Sequence, residues 1–317
     1  MTAAARPSLP LRARGERIEL RAGEYRAAVS SVGAMLESLE LAGRPLVLIS
    51  PEDGPMLLHR GALIAPWPNR IGRGAYVWEG EEILVPVNEP ERGNALHGLV
   101  SFSEFEVLSA QEDAVVLAHT LRPQPAYPFT LRLEVEHRLD AAEGLTTRVR
   151  ALNAGTRTAP YGVCPHPYVV AGPEPLEEWS LELPAEEVLE VDENLLPLRT
   201  QRIAPGSEWD FRTARRLGDL QIDHAFTGLL PRGADAERSR WSVRVSAPGG
   251  TGVEVSADGS CPWVQVHTAD RPEPENDRKG LALEPMTCPP DAFRSGTDLV
   301  RLEPGSTHEA SWSIRGW

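Results

Sequence analysis

The sequence predicts an all-β fold, a large antiparallel β-sandwich, on three observations. Apolar residues recur with period two in one segment after another, as where Leu131, Leu133 and Val135 alternate with Arg132, Glu134 and Glu136. The 29 prolines and 27 glycines cut the chain into short pieces, so that no stretch sustains the apolar recurrence of a long helix. Turn signals follow the strand-like pieces at short intervals, as in sandwiches and barrels.

In chain order, Leu131 to Glu136 reads as a half-buried strand. Trp241, Val243 and Val245 alternate with Ser242, Arg244 and Ser246, and Val253 and Val255 follow Gly249-Gly250-Thr251-Gly252, which makes this pair a hairpin. Ala310, Trp312 and Ile314 form a last apolar face. The polar run from Asp270 to Arg278 falls inside the strand pattern and reads as a rim loop, not a domain boundary. Similar proline punctuation occurs at Gly172-Pro173-Glu174-Pro175. There is no linker composition and no repeat, so residues 1–317 are expected to form a single domain, a length that large all-β domains reach.

Hydrophobic residues make up 41% of the chain, enough for a substantial core. The formal net charge of −14 repels phosphate backbones and anionic lipid, which argues against nucleic acid and membrane partners. Lys279 is the only lysine, so Schiff-base chemistry would have to rest on that residue alone. Cys164, Cys261 and Cys288 are odd in number and far apart, which suggests structural thiols in a reducing compartment. The N-terminal stretch through Arg6, Arg12 and Arg14 lacks an apolar signal core, and no run is long enough to span a bilayer. A cytoplasmic monomer or homodimer is the expectation.

Dinucleotide fingerprints, phosphate-binding loops, nucleophile elbows and metal-spaced histidines are all missing from the sequence. No cofactor or metal is expected, and acid–base chemistry from histidine and carboxylate remains. Gly162-Val163-Cys164-Pro165-His166-Pro167-Tyr168 holds His166 between two prolines, which force an extended backbone and give one imidazole a stiff support. A structural turn would account for it as well. In Pro66-Trp67-Pro68-Asn69-Arg70-Ile71-Gly72, Trp67, Asn69 and Arg70 offer an aromatic face, an amide and a planar donor fork suited to a hydroxyl-rich ligand; a solvated surface loop fits equally.

His97, in Leu96-His97-Gly98, is flanked by apolar residues and is expected to be partly buried. His119 and His137 fall on apolar strand phases and read as structural, whereas His59 and His308 have no supporting pattern. Asp223 begins a strand. Trp263, Gln265 and His267 share one strand face opposite Val264 and Val266, a polar-aromatic wall of the kind that binds sugars. Glu284 ends the apolar strand Leu281-Ala282-Leu283, before Pro285. A solvated strand-end carboxylate would look the same, but if desolvated it becomes a better base near neutral pH.

Asn69-Arg70-Ile71, Leu96-His97-Gly98, His166-Pro167-Tyr168, Asp223, and Glu284 with Pro290-Asp291-Ala292, in this order, resemble the aldose 1-epimerase (mutarotase) family over nearly the whole chain. The resemblance implies a galactose mutarotase-like supersandwich and a cofactor-free reaction at the anomeric carbon of a free aldose. It implies that Glu284 takes the proton of the C1 hydroxyl and that His166 protonates the ring oxygen. Asn69, Arg70, His97 and Asp223 would bind substrate; Gln265, from the polar-aromatic strand face, and Trp67, from the proline-flanked stretch, are expected beside them on their own residue types. His166 would then have to keep its proton near working pH with help from a nearby carboxylate. Activity would fall at low pH as Glu284 protonates and at high pH as His166 loses its proton.

Met286 and Val169 depart from the glutamine and phenylalanine usual in the family, and Trp67-Pro68 precedes the Asn-Arg pair. These details resemble a bacterial subgroup that includes proteins proposed to act on sulfoquinovose. Two other readings stand beside the mutarotase. A hexose-6-phosphate epimerase of the same fold would draw on arginines such as Arg73 or Arg92. A sugar-binding module would have lost the acid or the base, and both are present.

Overall fold

Period two in the sequence becomes two large antiparallel sheets in the computed structural model, which describes residues 12–49, 54, 56–231 and 240–317. Arg6 of the N-terminal stretch lies outside the described residues. The larger sheet has nine strands, in the order Glu106–Ala110, Ala114–Leu121, Leu131–Asp140, Gly144–Asn153, Thr307–Gly316, Gly252–Asp258, Arg240–Ser246, Ser180–Glu182 and Arg215–Arg216. The expected hairpin is there, with Val245 opposite Val253 and Trp241 opposite Ala257.

The second sheet has six strands, in the order Tyr168–Val169, Leu281–Met286, Trp263–His267, Asp223–Thr227, Glu187–Val191 and Pro197–Arg202. Leu133 and Val135, Val243 and Val245, and Val255 of the nine-stranded sheet join Val264, Val266, Leu281 and Leu283 of this one in a single apolar cluster. These residues alternate along their strands with outward-facing ones, so one face of the six-stranded sheet is committed to the core. The other face carries the polar residues. A four-stranded sheet of Arg17–Ala22, Tyr25–Ser30, Met35–Leu41 and Arg44–Pro45 adds further apolar residues to the core. Among the described residues the only α-helix is Ala292–Ser295, and no helix is long and apolar enough to cross a membrane.

The strand holding Glu284 does not end there. It runs on to Met286, with Pro285 opposite Val264. Leu283 N–H donates to Pro167 O and Thr287 N–H to Val163 O, so the missing N–H of Pro285 falls on the side facing Pro165, where no ladder bond is formed. Proline therefore leaves the pairing with Trp263–His267 intact, and Glu284 lies inside a buried strand.

Candidate active site

Register brings four polar residues onto one face. Asp223 lies opposite His267 and Gln265 opposite Glu284, and directly opposed residues share a face. His166 approaches this face from the chain that crosses in front of it. Its N–H donates to Ala62 O and its carbonyl accepts from Gly61 N–H, while Cys164–Pro165 pairs with Leu63–Ile64 and Tyr168–Val169 with Leu281–Ala282. The extended backbone that the two prolines impose thus stitches the histidine between two strand systems.

Arg70 and His97 come from a third pair, Arg70–Ile71 with Ala95–Leu96. Asn69 and His97 both have positive φ (52° and 62°), and His97 N–H donates to Asn69 O at 2.8 Å. Asp291 clamps this pair from behind: its N–H donates to Arg70 O, and its Oδ1 accepts from Gly72 N–H, both at 2.8 Å. Pro290-Asp291-Ala292 therefore acts on the site through the Asn69-Arg70 turn.

Together these elements enclose a cavity of about 270 Å³ whose lining includes Asn69, Arg70, His97, His166, Asp223 and Glu284. It falls at or just below the ~300 Å³ lower bound of drug-sized sites, a volume suited to one small ligand. On its floor His166 Nε2 lies 3.4 Å from Glu284 Oε1, and both residues are buried, at 4% and 2% exposure. Glu284 Oε2 accepts a long bond from the Cys164 thiol at 3.9 Å. Arg70 grips Glu89 with two bonds of 2.9 and 3.0 Å, donates to Asn69 Oδ1, and lies 3.8 Å from Asp223.

Burial pushes the Glu284 carboxyl well above the usual carboxylate range, the Asp223 charge adds to the rise, and Arg70 opposes it. Burial lowers His166 to about 3, helped by the neighbouring His59 and His267. The expected help from a carboxylate is there, since Asp223 raises His166, but burial outweighs it; burial therefore favours the neutral imidazole beside the protonated carboxyl. Asp223 behaves oppositely. Burial raises it, but His267, Arg70 and the Gln265 bond outweigh that and hold it below its ordinary value.

Two residues assigned to substrate lie behind the cavity wall. Trp67 is 2% exposed and packs edge-on against Phe293 at 5.6 Å, because the turn at Asn69 directs Asn69 and Arg70 to the cavity and leaves the indole in the core. Gln265 is buried and donates to Asp223 Oδ1 at 2.6 Å, which orients the aspartate. The polar-aromatic wall is likewise only half a wall. His267 lines the cavity, while Trp263 donates to Asp298 and is covered by Met35, Met56 and Met286. Arg92 lines the cavity, but Arg73 lies in a separate surface groove with Arg294.

Two residues with no sequence signal also belong to the site. Glu89, 5% exposed, receives Arg70, Arg92 and Asn94. His59 lies 4.7 Å from His97 and 6.3 Å from His166, centroid to centroid. His137 is structural as expected, bonded to Thr147 and to Ala34 O. The rim loop supplies Asp270 and Arg271 to the cavity edge.

The family model of aldose 1-epimerase matches residues 16–315. The chain is 35% identical over 303 residues to YihR of Escherichia coli (strain K12), described as uncharacterized, covering 95% of this chain and 94% of that protein. It is 29% identical over 233 residues to galactose mutarotase of Mus musculus, covering 68% and 65% of the two chains. Among solved structures, the GalM/aldose epimerase homologue from C. elegans superposes with a TM-score of 0.80 at 20% identity, over 95% of this chain and 98% of that one.

Proposed function

The chain belongs to the aldose 1-epimerase family, and on that premise we propose that it is a mutarotase that interconverts the α and β anomers of a free hexose. The observation that carries the reading is the dyad of His166 Nε2 and Glu284 Oε1, 3.4 Å apart on the floor of a monosaccharide-sized cavity. Glu284 takes the proton of the C1 hydroxyl as the C1–O5 bond breaks, and His166 delivers a proton to O5. Rotation about C1–C2 and closure by the reverse transfers give the other anomer. One proton leaves O1 and one reaches O5, so nothing is oxidised or reduced.

The reactive tautomer has the dyad proton on His166, and the resting one has it on Glu284. They differ by the position of one proton across 3.4 Å. Arg70 and Asp223, tied to Glu89 and Gln265, are preset to hold ring hydroxyls without reorganising. Each of the two proton transfers is worth about 10²–10⁴-fold.

Arg92 and Arg271 on the cavity edge would favour a sugar with an acidic substituent, which suits sulfoquinovose among the candidates and keeps a hexose 6-phosphate as the second reading. Following anomer exchange of α-D-glucose, α-D-galactose, sulfoquinovose and glucose 6-phosphate separates these. Acceleration of a free hexose is expected. If only the phosphate ester responds, the second reading takes its place, and if no sugar responds the mutarotase is excluded.

A further inference from the structure

The dyad leaves the half-buried imidazole of His59 unused. His59 lines the same cavity as His97 and His166, and the three rings stand 4.7, 4.9 and 6.3 Å apart. In all three, Nδ1 is buried without a hydrogen-bond partner. Orphaned buried N–H groups are rarer than orphaned acceptors, so in a neutral His59 Nδ1 is the bare nitrogen and the proton is on Nε2. His59 then presents one N–H donor to the cavity. Burial, with no opposing carboxylate, holds His59 at about 4, so it is a neutral donor near pH 7.

His59 is also held at some cost. Its φ is 54° and that of Leu58 is 51°, left-handed values that bulky side chains adopt only where surrounding structure imposes them. The turn is fixed by Gly61, whose absent Cβ would lie 2.0 Å from Leu36 O and whose N–H bonds His166 O. The same turn thus aims His59 and supports the backbone of His166.

The surroundings of the dyad are asymmetric. Arg70 acts on Glu284, His59 and His267 act on His166, and Asp223 acts on both; His59 stands 6.3 Å from His166, ring to ring. On the proposed reading O1 is at Glu284 and O5 at His166. Beyond O5 the next ring atom is C5 with its exocyclic carbon, on the side from which His59 approaches. We infer that His59 is a specificity-determining residue, donating through Nε2 to an oxygen on the exocyclic carbon at C5 of the sugar.

This assignment rests on the mutarotase reading, and the test separates the two. Anomer exchange of D-glucose and of 6-deoxy-D-glucose is measured for the wild-type chain, His59→Phe and His59→Asn. Phenylalanine keeps the ring without the donor, and asparagine accepts a positive φ but is too short to reach. The expected result is a loss of about tenfold in kcat/KM for D-glucose, the worth of one hydrogen bond, carried by KM. Exchange of 6-deoxy-D-glucose should stay within about threefold of wild type, since a hydrogen bond it never made cannot be lost. Equal losses for both sugars, or no loss for either, would overturn the assignment while leaving the mutarotase standing. Absence of exchange in the wild-type chain would remove both. Where a variant does not fold, imidazole ¹⁵N shifts of the wild-type chain decide: D-glucose should move His59 Nε2 and 6-deoxy-D-glucose should not, and identical responses would reject the contact.

Discussion

Glu89 and Glu284 are both buried glutamates that line one cavity and act on the same arginine, yet their surroundings make them opposites. Glu89 receives two bonds from Arg70, one from Arg92 and one from Asn94. Burial raises it, but these donors more than offset the effect and hold it below the usual range. Glu284 has the edge of an imidazole and a thiol at 3.9 Å, and burial sends it well upward. Neither sequence position nor burial separates an anchoring anion from a base; the number of donors aimed at each carboxylate does. The carboxylate held below its usual range fixes Arg70, and on the proposed reading the one left short of donors exchanges a proton.

The contrast can be broken from either side. Glu284→Gln keeps the shape and removes the base, so kcat should fall by about 10²–10⁴-fold with sugar binding largely retained; His166→Asn should fall comparably. Rates near wild type in either variant would place the chemistry elsewhere. Glu89→Gln leaves the buried charge of Arg70 only the longer contact with Asp223 at 3.8 Å and should cost up to about 3–5 kcal/mol of stability, read from denaturant unfolding. An unchanged unfolding midpoint would show that Arg70 does not depend on its partner.

Asp223→Asn sharpens the comparison. It removes a negative charge that raises Glu284, so the alkaline limb of the pH–rate profile should move to lower pH. A limb that stays in place would mean that Asp223 does not act on the dyad. The smallest effect is expected at Cys164→Ala. The thiol is a weak, long donor that lowers Glu284, so its loss should move the same limb slightly upward with kcat within about threefold of wild type. A large loss would give the thiol a larger share in the base than its geometry suggests.

The fold was legible because its signals are local. The alternation at Leu131–Glu136, the Trp241 hairpin and the Val264/Val266 face each report which side of a strand is buried. Much of the cavity lining was legible as residue types in short motifs, with Asn69 and His97 at positive φ on either side of a strand pair and His166 between two prolines. What could not be read was reach. Glu89 gains its meaning from Arg70, 19 residues away, and nothing in Asn88-Glu89-Pro90 marks it. His59 becomes part of the site only when three separate segments converge. Trp67 lies in the core, and an aromatic beside a polar pair looks the same in sequence whether the turn after it faces inward or outward. The order of the dyad's proton affinities also depends on burial, to which a motif is blind.

The pH dependence of anomer exchange, followed by NMR with the responding sugar, bears most directly on the His166–Glu284 dyad. Between about pH 3, where His166 takes up a second proton, and the raised value of Glu284, the dyad holds the one proton that the cycle needs. The rate should therefore hold steady through the mildly acidic range and fall on the alkaline side, as the last dyad proton is lost and no acid remains. A flat profile from about pH 4 to 10, where an unperturbed glutamate and histidine would both titrate, would contradict a mechanism carried by His166 and Glu284.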